Sequence, residues 1–206
     1  IMNALVDVGL IDNTIFIYTS DHGYSLGEFN MCEKHYAYEQ IMRVPMIVRL
    51  PDQKRAGNPP HDMVMLMDIA PTIMDYCTGE IPDEMEGKSW RILEKSEEER
   101  DEPLREELFF DFWHNQREIL PPMQAVRTER FKLIDYEYMP YKELYDLKKD
   151  PLEKDNLIDN NNYKTIKQDL EKRLKKWKKE TDWVVRDTIS LNSIYIAETV
   201  EGTQLK

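Results

Sequence analysis

The chain has 206 residues, 28 basic and 40 acidic side chains and a formal net charge of −12, with 41% hydrophobic and 33% charged residues. That apolar share can build a core and excludes a disordered polyampholyte. No run approaches the roughly 20 apolar residues of a membrane span, and the acidic excess argues against general nucleic-acid binding, which asks for a basic face.

Taken in chain order, residues 1–12 read as the end of an amphipathic helix. Ile1, Leu5 and Val8 stand at helical spacing, and Gly9 stops the pattern. The chain thus opens inside a helical pattern and reads as a piece of a longer protein. The run Thr14-Ile15-Phe16-Ile17-Tyr18-Thr19 is apolar on both faces, which predicts a buried strand of a parallel sheet covered by helices. Ser20-Asp21-His22-Gly23 follows at its end, then a polar loop to His35. Residues 36–43 suit a short helix, on which Glu39 and Arg43 are spaced for an ion pair. Residues 44–50 predict a second buried strand, with Pro45 at its start. Residues 61–77 hold a helix interrupted at Pro71, with Asp68 placed to cap its second half.

Residues 79–107 read as a polar, Glu-rich connection and contain the subdomain boundary. Residues 108–113 predict a strand. Residues 123–127 and 131–136 predict a hairpin joined by Thr128-Glu129-Arg130. Residues 143–147 suit a short strand or turn. Residues 161–180 are the clearest helix, with Tyr163, Ile166, Leu170, Leu174 and Trp177 at steps of three and four. Its lysine-rich stretch reads as a solvated face in an otherwise acidic chain. Residues 181–206 carry no firm pattern.

The chemistry concentrates at the end of the first strand, where α/β folds place ligands. Asp21 offers a hard anionic oxygen and His22 a neutral nitrogen, so together they can hold a divalent cation. The competing reading is a solvated turn with an incidental histidine. The two cysteines, Cys32 and Cys77, have no metal-type spacing and make no disulfide framework.

The wider pattern resembles the sulfatase family of the alkaline phosphatase superfamily. The matching blocks run from Asp12-Asn13-Thr14 through Ser20-Asp21-His22-Gly23, Gly27-Glu28, Lys34, Tyr38-Glu39 and Arg43-Val44-Pro45. They continue through Asp68-Ile69-Ala70-Pro71-Thr72, Gly87-Lys88-Ser89, Arg127-Thr128, Phe131-Lys132-Leu133, Glu143 to Leu147, Asp150-Pro151, Glu153 and Asn156-Leu157. Each block is weak and the ordered set is specific. The fold it implies is α/β: the C-terminal portion of an alkaline-phosphatase-like α/β sandwich, plus a small antiparallel sheet subdomain packed with a C-terminal helix. Residues 1–80 would close an incomplete catalytic domain, 81–107 connect, and 108–206 form the subdomain.

The resemblance also implies roles. Asp21 and His22 become metal ligands. The metal would be calcium, with manganese, magnesium or zinc left open because calcium prefers oxygen and His22 offers nitrogen. Lys34 matches the lysine that binds the sulfate group, where an ammonium offers three donors to an oxyanion. His35 can protonate a leaving alkoxide or lie behind the site. His114 can contact substrate at the pocket rim. The implied reaction is metal-dependent cleavage of a sulfate ester to an alcohol and inorganic sulfate. The alternatives are a phosphodiesterase or phosphonate monoester hydrolase of the same superfamily, and a non-catalytic binding module.

The family nucleophile, a formylglycine made within a Cys/Ser-x-Pro-x-Arg signature, has no match at Cys32 or Cys77. These residues alone are therefore expected to be inactive. The expected partner is a sulfated small molecule or carbohydrate, with no nucleic acid. No Asn-x-Ser/Thr acceptor occurs, which favours a periplasmic or secreted bacterial enzyme; a eukaryotic one would be lysosomal.

Overall fold

A computed structural model describes residues 1–51, 53, 56–112, 121–137 and 139–182. The chain divides into two compact units, one from Ile1–Cys32 and Met42–Glu106, the other from Glu33–Ile41 and Glu107 onward.

In the first unit, helix α1 (Met2–Asp7) ends just before Gly9 and leads to strand β1 (Phe16–Thr19). Two short strands, β2 (Ser25–Leu26) and β3 (Cys32–Glu33), flank the turn that follows. Helix α2 (Glu39–Met42) is a single turn, and strand β4 (Met46–Arg49) comes next. β4 pairs with β1 antiparallel, Phe16 opposite Arg49 and Thr19 opposite Met46. The expected parallel neighbour is not what pairs here. A parallel return needs a crossover of a dozen or more residues, usually a helix, and the helical turns between these strands, Glu28–Asn30 and α2, are three and four residues long.

Nor are these strands buried on both faces. Ile17 and Met46 pack on the cluster of Trp90, Leu93 and Leu104, whereas Tyr18 is 57% and Ile47 61% exposed. Helix α3 (Ile69–Thr78) carries Pro71 in its first turn, where the missing N–H costs no helical bond. It stops at Gly79, whose left-handed backbone (φ +76°) brings its N–H to the Asp75 carbonyl at 3.0 Å. The stretch read as a polar connection supplies Trp90, Leu93 and Leu104 to the core of this unit.

The second unit is built on one antiparallel sheet in the order β5 (Glu107–Phe112), β6 (Met123–Thr128), β7 (Phe131–Tyr136), β8 (Lys142–Asp146). The hairpin predicted around residues 128–130 is present; Thr128 Oγ1 accepts from the Phe131 N–H at 3.0 Å. Side chains alternate across the sheet. Val126, Leu133 and Leu144 face helix α4 (Lys164–Glu180) and meet Leu170 and Leu174. Trp177 stacks on Phe109, ring centroids 5.0 Å apart and 5° from parallel. The opposite face carries Arg127, Lys132, Glu143 and Tyr145 and receives the segment Glu33–Ile41. Among the described residues, no helix is long and apolar enough to cross a membrane.

Candidate active site

β1 ends at Thr19, and the chain turns at once. Ser20 Oγ donates to the His22 carbonyl at 3.0 Å and lies 3.3 Å from Asp21 Oδ1. The His22 N–H donates to Asp21 Oδ1 at 2.9 Å and holds that carboxyl below its ordinary value. Oδ1 is thereby occupied, and Oδ2 turns toward the imidazole, 3.2 Å from Nε2. On the other side of the ring, Nδ1 stands 2.7 Å from the Gly23 carbonyl oxygen. A carbonyl cannot donate, so Nδ1 carries the proton.

The edge that joins Nε2 to Oδ2 therefore suits a positive charge, either a proton or a cation held by both groups. A backbone carbonyl that fixes the tautomer of a ligating imidazole is the usual arrangement behind a metal-bound histidine. Asp21 and His22 are thus brought together as one carboxylate and one imidazole. Among the described residues, no group of three or more His, Cys, Asp or Glu side chains forms a complete metal site. The Asp21 side chain is 82% exposed.

The loop that leads to Lys34 has an unusual backbone. Phe29 (φ 55°), Asn30 (φ 57°) and Glu33 (φ 120°) all take positive φ without being glycine. Such conformations cost energy and gather at functional segments. Ser25, buried, ties the loop internally by donating to the Met31 carbonyl at 3.0 Å. Lys34 itself is exposed. His35 is half-buried, with its ring 5.0 Å from that of Phe112 at the end of β5. Lys34 and His35 belong to the second unit, Asp21 and His22 to the first. His114 lies outside the described residues.

Directly after Lys34 and His35, the chain is fastened to the sheet by charge. Lys132, with no exposed side-chain surface, donates to the Ala37 carbonyl at 2.9 Å. It lies 2.7 Å from Glu39 Oε1 and 2.8 Å from Glu153 Oε1. Glu153 Oε2 accepts from the Glu39 N–H at 2.6 Å. Arg127 Nε reaches Glu39 at 3.1 Å, so Glu39 is engaged with the sheet rather than only with its own helix. Burial pushes the Glu39 carboxyl up, and Lys132 and Arg127 outweigh it and hold it below the usual range; Glu153, deeper, is pushed above it by burial. Glu143, also buried, accepts from the hydroxyls of Tyr38 (3.1 Å), Tyr136 (3.3 Å) and Tyr145 (2.9 Å).

Reading the sequence did not single out Lys132, Glu143 or Glu153 as functional. They were visible only as members of ordered blocks. Asp68, expected to cap the second half of the helix over residues 61–77, puts no side-chain cap on α3. Its buried carboxylate instead takes both Arg105 Nη atoms (2.5 and 2.7 Å) and the N–H groups of Met65 (2.7 Å) and Lys88 (2.9 Å).

The first unit, with an acid–imidazole pair at a strand end, and the second, an antiparallel sheet backed by one long helix, each carry elements of the C-terminal portion of an alkaline-phosphatase-like fold. Residues 27–180 match the family model for N-sulphoglucosamine sulphohydrolase, C-terminal, and the chain belongs to that family. It is 31% identical over 182 residues to an N-acetylglucosamine-6-O-sulfatase of Bacteroides thetaiotaomicron, which covers 87% of this chain and 33% of that protein. A structure solved in complex with its substrate D-glucosamine-2-N,6-O-disulfate superposes with a TM-score of 0.78 and 29% identity, over 91% of this chain and 38% of that one. The phosphonate monoester hydrolase of Agrobacterium radiobacter superposes with a TM-score of 0.72 and 27% identity, over 86% and 37%. The chain spans between 33% and 39% of the length of the first curated relatives it matches.

Proposed function

We propose that the whole protein to which these residues belong is a metal-dependent sulfuric ester hydrolase acting on a sulfated carbohydrate. The observation that carries this is the Asp21–His22 pair, with His22 Nδ1 2.7 Å from the Gly23 carbonyl oxygen and Nε2 3.2 Å from Asp21 Oδ2.

In this reading Asp21 and His22 hold a divalent cation. One hard oxygen and one imidazole nitrogen are compatible with calcium and with manganese, magnesium or zinc. When bound, that cation supplies positive charge to the sulfuryl oxygens. Lys34 donates to the same group of oxygens and steadies charge as the ester bond breaks. His35 gives a proton to the departing alcohol oxygen. The attacking group, a formylglycine, belongs to a part of the protein outside these 206 residues.

The family match, the named sulfatase relative and the sulfated glucosamine bound by a structural neighbour support a sulfated amino sugar as substrate. The phosphonate monoester hydrolase neighbour supports a second reading with the same metal pair and a phosphorus ester. The deciding assay compares the whole protein on sulfated glucosamines, an aryl sulfate and an aryl phosphonate monoester. Release of inorganic sulfate with the higher kcat/KM supports the sulfatase. Preferred cleavage of the phosphonate would move the protein to the second reading.

A further inference from the structure

We propose that Arg127, Lys132, Glu143 and Glu153 are positioning residues for Lys34: they fix residues 37–39 and so set where the Lys34 ammonium stands. The inference rests on the reading in which Lys34 engages the substrate's oxyanion.

Three consecutive residues are caught by the charged and polar groups of the second unit. Ala37 is held by its carbonyl, Tyr38 by its hydroxyl, and Glu39 by both its N–H and its carboxylate. Two of these bonds go to main-chain atoms. Apolar packing can hold side chains in a core, but it cannot fix a carbonyl oxygen and an amide hydrogen in register. Lys34 is three residues from Ala37, so at most about 10 Å of chain separates the anchor from its Cα.

The energetics point the same way. Lys132 and Glu153 have side chains with no exposed surface. A buried ion pair of this kind is no more stabilising than well-packed apolar residues of equal volume. Two cations, Arg127 and Lys132, meet two carboxylates, Glu39 and Glu153, so the set is neutral only as a whole. What it supplies beyond stability is one geometry for the segment that begins at Glu33. Glu153 holds its place from a left-handed backbone (φ 54°), a conformation retained only where the surroundings dictate it.

The test uses the whole protein on an aryl sulfate, with two changes to the network: Glu153→Gln, and the volume-matched pair Lys132→Met with Glu153→Leu. Each is made alone and with Lys34→Ala, and kcat and the melting temperature are recorded. The expected result is a loss in kcat of about tenfold or more from either change, because misplacing a group by an ångström is that costly. In the Lys34→Ala background the further loss is expected to stay under about twofold, since a displaced lysine and an absent one are the same defect. Equal fold losses in both backgrounds would overturn the inference and leave the network a purely structural role. Should Lys34→Ala alone leave kcat intact, the underlying reading of Lys34 fails instead, and that single variant reveals it with the network untouched. If the paired substitution does not fold, Glu153→Gln decides the matter by the same comparison.

Discussion

Asp68 keeps its negative charge inside the first unit because partners surround its carboxylate. Its side chain has no exposed surface, and Arg105 meets it with both Nη atoms. Burial pushes its carboxyl up, but Arg105 and the Lys88 and Met65 N–H groups hold it below the ordinary 3.8. A carboxyl depressed in the folded state lends stability that is complete above its unfolded value and is lost as pH falls through the folded one. Asp68→Asn is therefore expected to cost about 3–5 kcal/mol at neutral pH, because it leaves Arg105 buried without its countercharge. Denaturant titrations should also show a shallower loss of stability below about pH 4 than in the wild type. Gly87 makes a second residue-level case. A Cβ there would stand 2.2 Å from the Met67 carbonyl oxygen, which is backbone and cannot swing away. Gly87→Ala is expected to destabilise by about 1–3 kcal/mol in the same titrations. A variant as stable as the wild type would show that the close approach is not needed.

At the level of elements, the sheet of the second unit is packed on both faces by different means. Helix α4 covers one face with Leu170 and Leu174 against Val126, Leu133 and Leu144, and Trp177 on Phe109. The other face carries the charged side chains that hold residues 37–39. Leu174→Ala is expected to cost about 2–5 kcal/mol, as buried leucines do. Lys172→Ala, on the solvent side of the same helix, should stay within about 0.5 kcal/mol. Similar costs at the two positions would mean that α4 does not pack as described. The β1–β4 ladder differs in that Tyr18 and Ile47 remain exposed on it. Apolar strand surface left open is an association site. Ile47→Lys is expected to raise the soluble fraction of these 206 residues expressed by themselves, measured by sedimentation.

On the scale of the whole molecule, what could be read from sequence depended on the range of the interactions. Ile166, Leu170, Leu174 and Trp177 repeat within α4, with Tyr163 just before it, so periodicity was sufficient, and the hairpin at residues 128–130 is equally local. The direction of the β1–β4 pairing was not legible, because an apolar strand looks the same whichever way its neighbour runs. The burial of Lys132 was not legible either. One lysine in a strand reads as a solvent-facing residue until Ala37, 95 positions away, is known to sit against it. Asp68 was read as a helix cap because its donors lie across the unit, at Arg105. At the candidate site, the Asp21–His22 adjacency is plain in sequence, but the tautomer that gives it meaning depends on where the Gly23 carbonyl points.

The most direct measurement is metal dependence of sulfate release by the whole protein, for wild type, Asp21→Ala and His22→Ala. Each is stripped with a chelator and titrated with calcium, manganese, magnesium and zinc. Stripping is expected to abolish release in the wild type, and one of these ions to restore it. Both variants are expected to need at least about tenfold more of that ion, because each lacks a ligand. Full activity in the stripped wild type, or variants that recover at the wild-type metal concentration, would contradict the assignment of Asp21 and His22.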